Sequence, residues 1–150
     1  MSLKKPTKDY VFVIVQLLLF AVYFLPVHLL STIALPVWLN YAGLIMLILA
    51  VVFGIMAFVQ LNTNISPYPT PLESGKLVTN GVFRVARHPI YTSLIFSGFG
   101  YAIYQESIFK LFITLLLVIL FYFKSKYEES LLTQKYPDYP EYKKRTRRFI

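Results

Sequence analysis

Two short groups of charged residues have the types and spacing to do chemistry, Arg87-His88-Pro89 and Glu128-Glu129. Carboxylates beside Arg and His side chains shift one another's pKa values, and such shifts are typical of catalytic and ligand-binding sites. The same groups could instead form a structural network of ion pairs, and the residue types alone leave both interpretations open. Cysteine is absent from the sequence, which excludes disulfides, Cys-ligated zinc, Fe–S clusters and a thiol nucleophile.

The elements that must position these groups lie in a membrane, because long stretches of the chain carry no charge. Only 22 of the 150 residues are charged, and residues 10–72 contain no Asp, Glu, Lys or Arg. A stretch of that length cannot be packed entirely inside a 17 kDa globule. The sequence therefore predicts an integral membrane protein and excludes a soluble enzyme, a secreted disulfide scaffold and an independent nucleic-acid-binding domain.

The apolar runs predict an all-α, polytopic membrane protein of one domain, residues 1–150, with about four transmembrane helices. The predicted spans are about 10–30, 41–61, 89–105 and 108–123. Pro26 is expected to kink the first span near its end, and residues 31–40 to form an outer connection. Residues 62–71 are rich in proline, which predicts extended chain rather than helix. The last two spans form a helical hairpin, followed by a basic, tyrosine-rich tail.

The distribution of Lys and Arg predicts which side of the membrane each connection faces. Residues 1–9, 73–87 and 124–150 hold 14 of the 15 Lys and Arg residues, and the remaining one is Lys110. The positive-inside rule therefore places both termini and the middle connection in the cytoplasm. The hairpin then brings Arg87 and His88 close to Glu128 and Glu129 at the membrane surface, where a soluble cofactor can meet a lipidic substrate.

Small residues on the third span predict close packing between helices. Ser93, Ser97 and Gly100 fall on one helix face, and Gly98-Phe99-Gly100 is interpreted as a packing notch. No G-x-G-x-x-G motif follows a strand, so a Rossmann-type cofactor site is not expected. His28 is expected to be an interfacial residue, and no metal site is predicted.

Two sequence blocks on either side of the hairpin resemble a known family. Residues 75–91, GKLVTNGVFRVARHPIY, contain a glycine, an aromatic residue and an Arg-His-Pro-x-Tyr core. Residues 128–132, EESLL, and 136–145, YPDYPEYKKR, follow in the same order as in that family. These blocks are similar to the isoprenylcysteine carboxyl methyltransferases and phospholipid N-methyltransferases, which form one superfamily of membrane enzymes. The resemblance covers about residues 64–150.

The resemblance implies S-adenosylmethionine as the methyl donor, bound by about residues 75–150 at the cytoplasmic face. The residues that it assigns to the donor are Val78, Gly81, His88, Pro89, Tyr91, Glu128, Glu129 and Tyr139. For Tyr139 an aromatic belt at the membrane surface is the alternative. Arg87 is expected to pair with Glu128 or Glu129 and shape the pocket.

On the acceptor side, the resemblance makes Arg145 the candidate that orients a carboxylate, since a guanidinium binds one bidentately. For an amine acceptor, Glu129 or Glu141 could serve as the base. The other cations of the tail could simply bind anionic lipid head groups.

The function predicted first is carboxyl O-methylation of an isoprenylcysteine-type lipid by a multi-pass membrane enzyme. The alternatives are N-methylation of a phospholipid ethanolamine group, S-methylation of a small thiol, and a non-enzymatic membrane scaffold whose basic tail binds anionic lipid. The predicted partners are the bilayer and a lipidic or prenylated acceptor, with no nucleic acid. The identity of the acceptor, the membrane and the oligomeric state stay open.

Overall fold

A computed structural model describes residues 6–27 and 34–150, and this part of the chain is helical, without a strand. The helices are α1 (Thr7–Tyr23), α2 (Val37–Leu61), α3 (Pro89–Tyr104), α4 (Ile108–Lys135) and α5 (Tyr139–Arg145). Two short 3-10 segments, Asn62–Asn64 and Gly81–Arg84, lie in the connection between α2 and α3. The all-α class is therefore confirmed. The predictions for residues 1–5 and 28–33, including His28 and the end of the first span, lie outside the described residues.

Three boundaries differ from the predicted ones, and prolines account for two of them. α1 ends at Tyr23 rather than continuing through Pro26, because proline disfavours helical geometry in the residue before it. α2 begins at Val37, directly after Pro36, so residues 37–40 belong to the helix and not to the outer connection. Residues 62–64 form a 3-10 turn where extended chain was predicted.

Two helices of the described chain, α2 with 25 residues and α4 with 28, are long and apolar enough to cross a membrane. α2 exposes large apolar side chains along most of its length, including Ile45, Leu49 and Ile55, each more than half exposed. Such a surface suits lipid rather than water. α1 and α3, with 17 and 16 residues, are shorter, so the four spans stay a prediction.

α3 packs chiefly on α2 through small residues, and on α4 on its other side. A Cβ atom added to Gly100 would lie 2.7 Å from the backbone oxygen of Gly43, and one added to Gly43 would lie 2.8 Å from the oxygen of Gly100. A Cβ on Gly98 would meet the side chain of Thr114 on α4 at 2.9 Å. Both glycines of the Gly98-Phe99-Gly100 segment thus allow close helix contacts.

Replacing Gly100 with leucine is expected to force α2 and α3 apart and to destabilise the protein by about 1–3 kcal/mol, because the neighbouring atoms belong to backbone that cannot rotate away. Thermal unfolding in detergent measures the effect. Tyr104→Leu, at an exposed position on the same helix, is the control. An unchanged melting temperature in Gly100→Leu would contradict close packing of α2 and α3 at this glycine.

The two charges at the opposite end of the hairpin from the Glu128-Glu129 pair stabilise helix ends. Glu106 accepts hydrogen bonds from the side chain of Asn40 at 2.8 Å and from the backbone N–H of Leu35 at 3.3 Å, at the start of α2. Lys110 donates to the backbone oxygen of Tyr23 at 2.7 Å, at the end of α1. A cation is favourable at a helix C-terminus. These two charges therefore have a structural role away from the candidate site.

Candidate functional site

The two ends of the α3–α4 hairpin meet through an ion pair. Pro89 occupies the first turn of α3, which leaves Arg87 and His88 just before the helix. Arg87 donates from Nε and Nη2 to Oε1 of Glu129, at 2.9 and 2.8 Å. His88 lies between the two acids, with Nε2 3.4 Å from Oε1 of Glu129 and Nδ1 3.7 Å from Oε2 of Glu128. Residues 40 to 42 positions apart in the sequence thus lie side by side.

Glu129 is enclosed by positive charge, with its side chain 1% exposed. Besides Arg87, it accepts hydrogen bonds from Arg148, with Nε to Oε1 at 3.1 Å and Nη2 to Oε2 at 2.9 Å. The ammonium group of Lys143 lies 3.2 Å from Oε2. Three cations around one carboxylate stabilise its ionised form, which makes Glu129 a poor base. The geometry therefore gives Glu129 the role of linking α4, the α3 start and the tail.

The tail after α5 lies along the residues that precede α3. The backbone N–H groups of Arg87 and His88 donate to the oxygens of Arg147 and Arg148, at 2.8 and 3.1 Å. Nη1 of Arg87 donates to the oxygens of Lys143, at 3.0 Å, and Thr146. These bonds join segments that are about 60 residues apart, so the tail is fixed to the start of α3 beside the ion pair.

α5 is fixed by two buried tyrosines, Tyr139 and Tyr142. The hydroxyl of Tyr142 donates to the backbone oxygen of Phe83. Burial raises the pKa of Tyr142 to about 12 and raises the pKa of Tyr139 as well. Both hydroxyls therefore stay protonated at neutral pH and can donate hydrogen bonds.

Glu128 has a different environment from its neighbour Glu129. Its side chain is 25% exposed, and its Oε2 accepts a hydrogen bond from the hydroxyl of Tyr91 at 2.8 Å. The Tyr91 ring is held by stacking on His88 (centroids 5.4 Å apart) and on Phe121 (4.8 Å). Among the described residues, Glu128 makes no ion pair with Arg or Lys within 4 Å. Its charge is therefore free to act on a ligand.

Two cavities adjoin at Glu128. The first, the loop cavity, has a volume of about 120 Å³ and lies between residues 64–78 and the α4–α5 region. The second, the helix cavity, has a volume of about 280 Å³ and lies between α1, α2, α3 and α4, beside the start of α3. Phe83, Arg87 and Glu128 line both. A ligand in one cavity would thus lie next to a ligand in the other.

One buried polar atom at these cavities, the hydroxyl of Tyr139, lacks a hydrogen-bond partner within the described part of the chain. Tyr139 is 1% exposed and lines the loop cavity. Nε2 of His88 has no hydrogen bond of normal geometry either, but it faces Oε1 of Glu129 at 3.4 Å. Leaving the Tyr139 hydroxyl unpaired is unfavourable by about 1–3 kcal/mol. A polar ligand that pairs with it would recover that free energy, so the residues present fit a ligand with a polar group in the loop cavity.

The helix cavity also contains a buried cation that the sequence analysis did not single out. Lys124, which is 1% exposed, donates to Oε1 of Gln16 at 2.6 Å and to the oxygen of Pro67 at 2.9 Å. Its ammonium group lies 5.4 Å from the centre of the Tyr91 ring. The spacing of Lys124 and Glu128, one helical turn apart on α4, is the sequence signal that could have indicated a shared site.

The structure brings together most, but not all, of the residues predicted for the site. His88, Pro89, Tyr91 and Glu128 line the helix cavity, Glu129 lies beside them, and Val78, Glu128 and Tyr139 line the loop cavity.

Gly81 lines neither cavity. It has a φ of +56°, and a Cβ there would overlap the side chain of Gln60, so it is required by the turn.

Three charged residues of the tail also differ from the expected arrangement. Arg145 is exposed and lines neither cavity, whereas Arg148, three residues later, reaches Glu129. Glu141, the alternative base, is exposed and pairs with Lys144 at 2.7 Å. The orientation of a substrate carboxylate by Arg145 thus has no support from the geometry.

Comparison with known proteins gives one result. The phospholipid methyltransferase family model matches residues 38–139, about two thirds of the chain. The match includes all of α2 except its first residue, together with α3 and α4, and it ends at the first residue of α5. No curated protein shows a significant match to the chain.

Proposed function

The chain belongs to the phospholipid methyltransferase family, and from this premise we propose that it transfers a methyl group from S-adenosylmethionine to a lipidic acceptor at the cytoplasmic surface of a membrane. The observation that carries the proposal is the position of Glu128 on the shared wall of the loop and helix cavities. In this proposal the chain crosses the membrane several times with both termini in the cytoplasm, as the distribution of Lys and Arg predicts.

The loop cavity is the proposed site of the methyl donor. When bound, S-adenosylmethionine supplies an electrophilic methyl group carried on a positively charged sulfur. The Glu128 carboxylate attracts positive charge, the Tyr139 hydroxyl is available to donate a hydrogen bond, and backbone groups near Val78 line the same cavity. Because the loop cavity is smaller than the usual 300–1,000 Å³ of a ligand site, the donor would have to extend past Glu128 toward the helix cavity.

The helix cavity is the proposed site of the acceptor. Phe58 and Leu61 of α2 and Leu94 of α3 give it apolar walls that suit a lipid chain. Our first candidate reaction is O-methylation of a carboxylate of the isoprenylcysteine type. A carboxylate is already nucleophilic at neutral pH, so the protein needs only to orient it and exclude water. The enclosure of Glu129 by three cations, which makes it a poor base, favours such an acceptor.

The description of the matching family favours a second candidate, N-methylation of a phospholipid ethanolamine group. This amine must lose a proton before it can attack a methyl group. Glu128, which is partly exposed and free of an Arg or Lys partner, is the carboxylate available to accept that proton.

A panel of acceptors tests the proposed function. The purified protein, in neutral detergent, is incubated with S-adenosylmethionine labelled on its methyl group and with a prenylcysteine, a phosphatidylethanolamine or a small thiol. We expect label to enter one of the two lipids, with Glu128→Gln as the inactive control. If no label is transferred and calorimetry detects no donor binding, the methyltransferase proposal is wrong and the scaffold with a lipid-binding tail replaces it.

The dependence of the rate on pH separates the two candidate reactions. With a carboxylate acceptor, the rate at saturating donor is expected to change little between about pH 6 and 8, because the acceptor is ionised throughout. With an amine acceptor, the rate is expected to rise by up to about tenfold per pH unit as the amine loses its proton. A flat profile measured with phosphatidylethanolamine would contradict deprotonation as part of the slow step.

A further inference from the structure

Lys124 is a buried positive charge without a carboxylate partner in contact. Its ammonium group has three N–H donors, and the described residues accept hydrogen bonds from two of them, through the neutral oxygens of Gln16 and Pro67. Glu128 and Asp9 act on Lys124 electrostatically, but neither forms an ion pair with it within 4 Å in the described chain. The Tyr91 ring also faces the ammonium group at 5.4 Å, but one N–H has no acceptor among the described residues, so an anionic oxygen is the group that this position lacks.

The cavity beside Lys124 combines this charge with apolar walls. Lys124 and Gln16 line the helix cavity together with apolar side chains such as Phe58, Leu61 and Leu94. A soluble anion would gain nothing from those walls, and a neutral lipid would leave the ammonium group unpaired. A molecule with both an apolar chain and an anionic head satisfies both parts of the cavity.

The position of Lys124 relative to Glu128 places such an anion near the proposed point of methyl transfer. The two residues lie four positions apart on α4, and side chains at that spacing are neighbours on one helix face, about 5–6 Å apart at Cβ. Glu128 also lines the loop cavity. An anion held by Lys124 would therefore lie beside the junction of the two cavities.

On the basis of the proposed function, we propose that Lys124 binds the anionic group of the lipidic acceptor. The anionic group is either the carboxylate of a prenylcysteine-type lipid or the phosphodiester of a phospholipid, both of which accept hydrogen bonds from an ammonium group. A carboxylate held by Lys124 is itself the group that accepts the methyl group. With a phosphodiester, the amine that accepts the methyl group lies a few bonds further along the head group. Lys124 thus selects acceptors by charge.

A purely structural role for Lys124 predicts different behaviour. The hydrogen bonds of Lys124 connect α4 to Gln16 of α1 and to Pro67 in the connection after α2. Removing the Lys124 side chain would therefore lower the stability of the protein. That role gives no reason for the protein to distinguish a charged lipid from a neutral one of the same chain. The ratio of the two affinities is therefore the decisive quantity.

Native mass spectrometry in neutral detergent measures that ratio without turnover. The first pair of probes is N-acetyl-S-farnesylcysteine and its methyl ester, and the second pair is a phosphatidylethanolamine and the diacylglycerol with the same chains. We expect the protein to bind the member that carries the carboxylate or the phosphodiester about tenfold or more tightly in at least one pair, as for a charge-assisted hydrogen bond. The pair that shows the preference identifies carboxylate or phosphodiester. Equal binding within both pairs would overturn the proposal before any variant is made.

Three variants attribute the preference to Lys124. Lys124→Met is expected to reduce the ratio to about one while leaving the affinity for the neutral probe unchanged, and Lys124→Arg is expected to retain most of it. Lys126→Met removes an exposed cation two residues further on the same helix and should leave the ratio intact. If Lys124→Met remains folded and keeps the full ratio, Lys124 is not the recognition group.

Failure of the Lys124 proposal and failure of the proposed function give different results. A charge preference that depends on Lys124, with no methyl transfer to any lipid, would support the anion site and count against the methyltransferase. Methyl transfer without any charge preference would overturn the role of Lys124 and leave the proposed function standing.

Discussion

Replacing Glu129 with alanine is expected to destabilise the protein by about 3–5 kcal/mol, as when one partner is removed from a buried ion pair. The substitution leaves Arg87, whose side chain is 8% exposed, and Arg148 without the carboxylate that accepts their hydrogen bonds. Lys143 and His88 lose the same neighbour. Titration with dodecyl sulfate in mixed micelles, followed by circular dichroism, measures the loss.

The neighbouring acid is the matched control for this result. Glu128→Ala removes a carboxylate that accepts one hydrogen bond, from Tyr91, and should cost about 1 kcal/mol. The double variant Arg87→Met/Glu129→Leu removes both members of the central pair and should be more stable than Glu129→Ala, although Arg148 remains unpaired. Equal stability of Glu129→Ala and Glu128→Ala would show that the cation cluster around Glu129 does not stabilise the fold.

The contact between Arg87-His88 and Glu128-Glu129 was predictable because the sequence determines where the helices begin and end. Pro89 begins α3, the apolar run from Ile108 sets the length of α4, and the hairpin then returns Glu128 and Glu129 to the level of Arg87 and His88. No knowledge of side-chain packing is needed for this step. The match of the family model to residues 38–139 confirms the family resemblance that residues 75–91, 128–132 and 136–145 indicated.

The choice among the cations of the tail could not be made from the sequence. Arg145 and Arg148 are three residues apart and chemically identical, so only the path of the backbone distinguishes them. α5 ends at Arg145, and the following residues extend along residues 86–88, which places Arg148 beside Glu129 and leaves Arg145 exposed. This path depends on hydrogen bonds between distant segments, which a local pattern does not contain.

Two buried charges near the site, Lys124 and Asp9, were missed for a related reason. Lys124 directly follows an apolar run, where a lysine normally extends toward the membrane surface. Asp9 lies near the start of the chain among other charges, yet it is fully buried and accepts a hydrogen bond from the backbone of Thr70 at 3.2 Å. Both are buried because residues 66–70 fold back over the helix ends. A proline-rich segment of this kind has no periodicity from which its path can be predicted.

The structure thus separates two adjacent carboxylates that the resemblance assigned together to the methyl donor, with Glu129 also a candidate base for an amine acceptor. Glu129 is saturated by cations of the protein, whereas Glu128 lines both cavities and accepts one hydrogen bond. Successive residues on a helix point about 100° apart, so one of them faces the tail and the other the cavities. Substitutions at the two positions should therefore affect different properties of the protein.

Glu128→Gln is expected to weaken binding of S-adenosylmethionine roughly ten- to a hundredfold while leaving the unfolding midpoint nearly unchanged. The amide keeps the size of the side chain but removes the negative charge, and the loss of a charged interaction is worth about 1.5–3 kcal/mol. Tyr91→Phe should have a smaller effect in the same direction, because the ring keeps its stacking on His88 and Phe121 while the hydroxyl that orients Glu128 is lost. Isothermal calorimetry in detergent measures both affinities.

Glu141→Gln is the appropriate control, since Glu141 is an exposed glutamate of α5 that pairs with Lys144 and lines neither cavity. It should bind the donor like the unmodified protein, which rules out an effect of net charge alone. Wild-type affinity in Glu128→Gln would place the donor elsewhere, because a sulfonium group beside this carboxylate must respond to the loss of its charge. A large drop in the unfolding midpoint would instead show that Glu128 stabilises the fold, as Glu129 is expected to do.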